Sequence, residues 1–283
     1  MGLILRLIFL ESCSLESVGV NHRDPSTPLV SVIMPVFNGT VTLHQSMISV
    51  LSQSIRDLEL IVVDDGSSDS SAEIAEHLAQ TDDRVRLARR AKSGGPAAAR
   101  NTGIATAKGS YLAFCDADDM WLEHKLERQL ECAERTGAPL IYSSYHRIAP
   151  DFHKGAADFT PEGRLVSVPP KLTHADLLAG NKIGNLTAMV NLSITGPVTM
   201  ADRSGAEDWA LWLEITRKFG AARGVEEPLA LYRAEQKGSH SDDRLRAIRA
   251  VWRVLREQEN VPRWRAAWYL MRSSSAALRK SRI

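Results

Sequence analysis

The chain is poor in the features that mark several protein classes. Of its 283 residues only three are cysteine, Cys13, Cys115 and Cys132. None forms a C-x-x-C pair or sits near a histidine cluster, so neither a disulfide framework nor a zinc site is indicated. That usage fits a reducing compartment. No segment reaches the ~18 consecutive apolar residues of a membrane-spanning helix. Met1 to Leu10 (MGLILRLIFL) is apolar but too short to cross a bilayer, contains Arg6, and lacks a basic lead-in and a small-residue cleavage site. It reads as an interfacial anchor or as an extension that does not pack; residues 11–28, with Pro25 and Pro28, read as a linker, and 1–27 form a poorly ordered N-terminal extension. No G-x-x-x-x-G-K-[ST] loop occurs, and no G-x-G-x-x-G follows the first strand. An NTPase and a common NAD-binding protein are therefore disfavoured. Repeats and low-complexity tracts are also missing.

What is present is ordinary for a soluble globular protein: 44% hydrophobic, 24% charged, net charge +1. The length accommodates one large domain and a tail. The charge is uneven. From Arg244 to Ile283 there are ten arginines and Lys280 against Glu257 and Glu259. Trp252, Trp264, Trp268 and Tyr269 are interleaved with them. Aromatics and cations together suit a membrane interface rich in anionic lipid. Nucleic acid is not expected, because no nucleic-acid motif accompanies the charge.

Buried strands are expected at Val30–Pro35, Leu58–Val63, Val85–Ala88 and Tyr111–Cys115, since short β-branched runs are the signature of parallel strands covered on both faces. Helices are expected at 41–53, 70–80 and 96–107. This alternation predicts an α/β fold with an open, mostly parallel twisted sheet, helices on both faces, and further helices at the C-terminus. Ligands bind such sheets beyond the carboxyl ends of the strands. The second half is less regular. Residues 146–172 read as a long loop, Leu186–Val190 as a strand, 207–219 as a helix, and 242–280 as two more helices. Trp209, Trp212, Leu213, Thr216 and Phe219 recur at the 3.6-residue period of a core-facing stripe.

Asp116-Ala117-Asp118 follows the fourth strand. In an extended backbone residues i and i+2 share a face. Two carboxylates so placed resist joint ionisation unless a cation joins them. Hard oxygen ligands suit Mg²⁺ or Mn²⁺ with positions left for substrate phosphates; the plain alternative is an acidic turn capping the helix at 123. Asp64 and Asp65 end the second strand, where one carboxylate can accept a base N–H or a ribose hydroxyl while Ser67, Ser68 or Asp69 caps the next helix. Pro35, Val36, Phe37 and Asn38 border the same pocket. Arg100 and Lys92, flanking Gly94-Gly95, are candidates to meet phosphate charge. Glu207 and Asp208 begin the tryptophan-striped helix. Their carboxylates suit a helix N-terminus in any case, and one of them can act as the general base that an acceptor hydroxyl needs.

Taken in order, PLVSVIMPVFNG, LELIVVDDGSSD, GGPAAARNTGIATAKGSYLAFCDADD and EDWALWL resemble the family 2 glycosyltransferases, an inverting group with the GT-A fold. The resemblance covers roughly Pro28 to Ser241 and implies a catalytic domain over 28–241 with a basic, aromatic tail over 242–283. IGNLTAMVNLSITGPVTM is similar to the subgroup that builds bacterial capsule, exopolysaccharide or lipopolysaccharide repeats.

By that resemblance the donor is a nucleotide-diphosphate sugar, a UDP-sugar first among them, and the acceptor a lipid-linked glycan. The nucleotide-sugar site comprises Pro35, Val36, Phe37, Asn38, Asp65, Arg100, Asp116, Ala117 and Asp118. Asp65 contacts the base, Asp116 and Asp118 hold Mn²⁺ or Mg²⁺ against the diphosphate, and Asp208 is the catalytic base with Glu207 as its fallback. The enzyme is expected on the cytoplasmic face of the inner membrane. One departure is the loop Arg233-Ala234-Glu235…Gly238-Ser239-His240-Ser241, one residue longer than the family's R-x-H-x-x-S-x-S, which removes any expected role from His240. No Q-x-x-R-W motif occurs, so a processive synthase is not expected. Two other readings are a sugar-nucleotide nucleotidyltransferase, which lacks its Gly-rich basic loop here, and a non-catalytic sugar-nucleotide-binding module.

Overall fold

The computed structural model describes residues 27–161, 164–202, 205–234 and 244–280. The expectations for Met1–Leu10, Cys13 and the His240 loop fall outside them. A ten-stranded mixed sheet forms the centre. Strands β1 (Val30–Val36), β2 (Leu58–Asp64), β3 (Val85–Arg89) and β4 (Tyr111–Phe114) run parallel, in the spatial order β3-β2-β1-β4. Every residue of β2 is buried, as continuous apolar runs require of a strand covered on both faces. Pro35 lies inside β1 rather than at its end. The β1–β4 ladder stops at Ile33↔Phe114, so the missing N–H interrupts no pairing on that side.

Beyond β4 the sheet continues through β9 (Met189–Asn191), β6 (Leu140–Ile148), β10 (Ala222–Arg233) and β5 (Met120–Trp121). β6 and β10 are parallel to each other, whereas β9 and β5 are antiparallel to their neighbours. This half departs most from expectation. The run 146–172 is not one loop. It holds the end of β6, then β7 (Arg164–Val166) antiparallel to β6 and β8 (Lys171–Leu172) antiparallel to β10. Leu186 and Thr187 belong to a 3₁₀ turn, Asn185–Thr187, and the strand starts at Met189. The 12-residue β10 contains Pro228 between two register shifts, where a missing ladder donor is tolerated.

Helices α1 (Leu43–Leu51), α2 (Ser71–Ala79) and α4 (Lys125–Thr136) cover one face, packing Met47, Ala75 and Leu130 on Val32, Val62 and Ala113. Helix α3 (Pro96–Ile104), the short α5 (His174–Leu178) and α7 (Glu207–Phe219) cover the other, against Ile33, Val63 and Phe114. A short α6 (Leu192–Thr195) follows β9. The α7 stripe is buried at Trp209, Trp212, Leu213 and Thr216, but Phe219 at its end is 39% exposed. Trp212 meets Phe114 edge to face at 6.0 Å.

The C-terminal segment forms α8 (Arg244–Arg253), a π turn over Val254–Gln258, and α9 (Arg263–Lys280). It is docked through Ala250, Val254, Leu255, Val261 and Ala266, which join the α7-side core. Trp252 and Tyr269 pack partly on that core, whereas Trp264 is 73% exposed and Trp268 and Met271 also face outward.

Candidate active site

The carboxyl ends of β1, β2 and β4 meet at one edge of the sheet. After β1 the chain turns through Asn38, whose φ of 53° is left-handed. Asn tolerates this region better than most side chains. Its amide N–H donates to Ser67 Oγ and its Oδ1 accepts from Ser68 N, stitching the β1 loop to the β2 loop. Gly39 N donates to Ser71 Oγ, and Thr40 N to Asp69 Oδ2. Asp69 also accepts from Ser71 N, and these bonds hold its carboxyl down at about 2 although partial burial opposes them. Asp64 accepts from Ser67 N. These bonds shape the loop before α2, whose N-cap position is Ser70 with no capping side chain, so the cap expected from Ser67, Ser68 or Asp69 does not form. Val36 is buried, while Phe37 is 56% exposed at the rim.

Asp65 is buried and saturated. It accepts from Ser93 Oγ at 2.7 Å, from Gly94 N, and from Gly95 N at 2.9 Å, and pairs with Arg90 at 3.2 Å. Gly95 has φ +83°, a conformation that leaves its N–H directed at the carboxylate with little backbone strain. Asp65 thus fastens the 93–95 loop to the end of β2. A base N–H arriving there would share the carboxylate with Ser93. Lys92 is exposed.

Asp116 and Asp118 lie in a turn just past β4, closed by Asp119 N to Asp116 O at 3.1 Å, not in extended backbone. The local reason is the register: the last bond to β1 runs from Cys115 N to Ile33 O, and the chain leaves the ladder from Asp116 onward. The two carboxyls remain close enough to sense each other. Burial first, and then Asp116, pushes the Asp118 carboxyl up to about 6. Such crowding is what a divalent cation relieves. Among the described residues no group of three or more His, Cys, Asp or Glu forms a complete metal cage. Two carboxylates with open positions fit Mg²⁺ or Mn²⁺, which keep substrate phosphate oxygens as ligands.

Arg100 joins the two halves of the site. Its Nη2 donates to Asp116 Oδ1 at 2.6 Å, and its Nη1 lies 3.3 Å from Glu207 Oε1. Burial works against its charge, but Asp116, Glu207 and Asp208 outweigh it. The guanidinium expected to face phosphate is instead clamped between carboxylates. Asn185 Nδ2 also reaches Asp116 Oδ1, at 3.4 Å. Glu207 takes a second bond from Gly205 N, so both its oxygens are engaged.

Asp208 differs from its neighbour. It accepts from Trp209 N at 2.7 Å and Asn181 Nδ2 at 3.0 Å, and among the described residues no cation pairs with it directly. Burial drives its carboxyl up to about 6, with Glu207 adding to the rise and Arg100 opposing it. A carboxylate with that affinity takes a proton near neutral pH far better than an ordinary aspartate. Asp208 also lines a cavity of about 120 Å³ with Gly180, Asn181, Trp209, Leu255 and Tyr269.

Two polar side chains at the site carry no sequence signal, and a third, Arg233, is known from sequence only as the start of the departing loop. Asn181 and Asn185 precede β9 and reach Asp208 and Asp116. Arg233, at the end of β10 and buried, donates its backbone N–H to Asp119 Oδ1 and its Nε to Asp118 O, both at 3.0 Å. Nothing local marks the two asparagines. The arginine follows the apolar Leu231-Tyr232 and opens the loop compared above with R-x-H-x-x-S-x-S, and those are the signals that mark it.

The family model described as glycosyl transferase family 2 matches residues 31–182. TuaG of Bacillus subtilis (strain 168), named for a provisional role as a teichuronic acid biosynthesis glycosyltransferase, is 34% identical over 89% of this chain and 97% of its own. WfgD of Escherichia coli, a UDP-Glc:alpha-D-GlcNAc-diphosphoundecaprenol beta-1,3-glucosyltransferase, is 32% identical over 80% of this chain and 85% of its own. The structure of S. aureus TarS 1–349 with UDP-GlcNAc superposes with a TM-score of 0.66 at 16% identity, covering 85% of this chain and 70% of that one. The mannosyltransferase PcManGT from Pyrobaculum calidifontis with GDP-Man and Mn²⁺ gives 0.63 at 16% identity, over 91% and 76%. The chain belongs to glycosyl transferase family 2 and has the GT-A fold.

Proposed function

We propose that this glycosyltransferase moves one sugar, with inversion, from a UDP-sugar to a hydroxyl of a lipid-linked surface glycan. The observation that carries the reading is the buried Arg100 bridge, which ties the Asp116 turn to the start of α7, one residue from Asp208. Donor-site and base-site groups are thereby held in one rigid unit, as a single in-line displacement requires.

In this reading the loops after β1 and β2 take the nucleoside, with Pro35, Val36, Phe37 and Asn38 at its border. Asp65 receives the base N–H alongside the Ser93 hydroxyl. Asp116 and Asp118, flanking Ala117, hold Mn²⁺ or Mg²⁺. When bound, that ion neutralises the diphosphate as it departs. Asp208 takes the proton from the acceptor hydroxyl while Asn181 fixes the orientation of its carboxylate. Glu207 is a positioning residue, because both its oxygens are occupied.

The support for a lipid-linked acceptor is the name of WfgD, and for a UDP donor that name together with the TarS complex. Residues 28–241 are the catalytic domain in this reading. The docked helices at 244–280 are an accessory element whose exposed Trp264 and Trp268 and flanking Arg263 and Arg265 contact the anionic cytoplasmic face of the inner membrane. No helix among the described residues is long and apolar enough to cross a membrane.

The donor assignment is tested by screening UDP-, GDP- and TDP-sugars for thermal shift and hydrolysis with Mn²⁺. Calorimetric titration of UDP should show binding that chelator weakens in the wild type and that Asp118→Asn loses. Wild-type affinity indifferent to chelator would remove the metal from the reading.

A further inference from the structure

A second polar cavity, of about 470 Å³, lies on the β7–β6–β10 part of the sheet. Strand register explains its composition. Arg147 pairs with Arg164 across β6 and β7 and with Tyr232 across β6 and β10, and Tyr145 pairs with Val166. Directly paired residues project to the same face of a sheet. Two guanidiniums and two phenols therefore share one concave surface, with Val166 and Ser167 completing its wall. The Tyr145 and Tyr232 rings meet edge to face at 6.0 Å, and the Arg147 guanidinium lies 5.9 Å from the Tyr232 centroid.

Arg147 stands opposite Arg164 in the ladder, and both guanidiniums act on the Tyr145 hydroxyl. A bound anion here can accept charge-assisted hydrogen bonds from both, for which the planar guanidinium is suited.

The place of the cavity narrows the choice of anion. Along the sheet the order is β2, β1, β4, β9, β6, β10. The nucleoside loops end β1 and β2, the Asp116–Asp118 turn ends β4, and the arginine cavity lies further along in the same direction. It is also wired to the site. Tyr232 immediately precedes Arg233, which binds the Asp118–Asp119 turn. Gly184, between Asn181 and Asn185, approaches Tyr145 so closely that a Cβ there would lie 3.5 Å from its ring. The donor diphosphate is accounted for at the turn, so the anion of the second cavity arrives with the other substrate.

We infer that the surface formed by Tyr145, Arg147, Arg164 and Tyr232 binds the diphosphate that links the acceptor sugar to its lipid. This inference rests on the transferase reading above. It makes Arg147 and Arg164 acceptor-binding residues and leaves the donor site unchanged. The phenols add rings against which the first acceptor sugar stacks.

The test uses the full chain, saturated with UDP and Mn²⁺ so that the donor site is filled. Decyl-diphosphate-linked N-acetylglucosamine and the neutral decyl N-acetylglucosaminide are titrated by calorimetry. The wild type should bind the diphosphate at least tenfold more tightly than the neutral glycoside. Arg147→Gln and Arg164→Gln should each remove most of that preference while UDP affinity and thermal unfolding stay at wild-type values. Both side chains are part-exposed, so loss of folding is not expected. Equal binding of the two probes by the wild type, or an unchanged preference in both variants, would overturn the inference. If UDP itself does not bind, the transferase reading fails separately. The same titration without UDP then decides whether the cavity is an anion site.

Discussion

The two halves of the sheet hold their polar groups by different means. Around β1 and β2 the partners come from adjoining loops. Asn38 meets Ser67 and Ser68, and Asp65 meets Ser93, Gly94 and Gly95. Most of those donors are backbone amides or short hydroxyls, so the pocket is set by turn geometry. On the other side of β4 the partners are distant in sequence. Arg100 and Glu207 are 107 residues apart, and the Arg233 amide reaches Asp119 across 114. There the site depends on buried ions arranged by the packing of α3, α7 and β10. One half is a rigid mould, and the other is an electrostatic assembly whose members need one another.

Substitutions that separate the halves should have the largest effect. Asp208→Asn should lower kcat by ~10²–10⁴, the range for loss of general acid–base catalysis, and leave UDP affinity intact. If Glu207→Gln abolishes turnover with a wild-type fold while Asp208→Asn does not, the base assignment is off by one residue. Arg100→Met should come next. It strands Asp116 and Glu207 without their shared cation, and removing one partner of a buried ion pair costs about 3–5 kcal/mol. Urea unfolding measures this, and a loss below about 1 kcal/mol would show that the bridge is not what joins the halves.

A gentler test uses pH. With its carboxyl raised to about 6, Asp208 is ionised above that value, so kcat/KM should fall as pH drops through about 6. Stability moves the other way. A native carboxyl raised from 3.8 to about 6 binds its proton more tightly than in the unfolded chain. The wild type should therefore lose stability relative to Asp208→Asn as pH rises from about 4 to about 6, and hold a constant difference above that. A flat pH–rate profile between 5 and 7 would contradict the poised base.

The same contrast governs what was legible in the sequence. β1, β2 and β4 read directly from VSVIMP, LELIVV and YLAFC, because fully covered parallel strands are continuous apolar runs. The D-A-D segment was found, though its backbone is a turn. β6 (LIYSSYHRI) and β10 (ARGVEEPLALYR) escaped because polar and bulged positions break their patterns. Asn181 and Asn185 escaped because their importance lies in partners far along the chain, and the contacts of Arg233 with Asp118 and Asp119 are illegible in its loop for the same reason. Arg100 was singled out for its place beside Gly94-Gly95, and only the fold showed that it faces Asp116 and Glu207.

The smallest effect concerns the C-terminal helices. Docking of Ala250, Leu255 and Ala266 means that truncation near Ser241 would strip the α7-side core, so point variants are the cleaner probe. Trp264→Ser with Trp268→Ser should weaken co-sedimentation with anionic vesicles, and separately Arg263→Gln with Arg265→Gln should weaken it by about 1 kcal/mol per basic residue. The arginine effect should fade as salt rises. Wild-type sedimentation in both variants would place the membrane contact elsewhere.

The most direct test of the joined site is the configuration of the sugar released as the protein hydrolyses its preferred UDP-α-sugar, followed by ¹H NMR before mutarotation. A single displacement driven from Asp208 yields the β-anomer in the wild type, with release slowed by ~10²–10⁴ in Asp208→Asn at unchanged UDP affinity. A released α-anomer, or full turnover by Asp208→Asn, would contradict it.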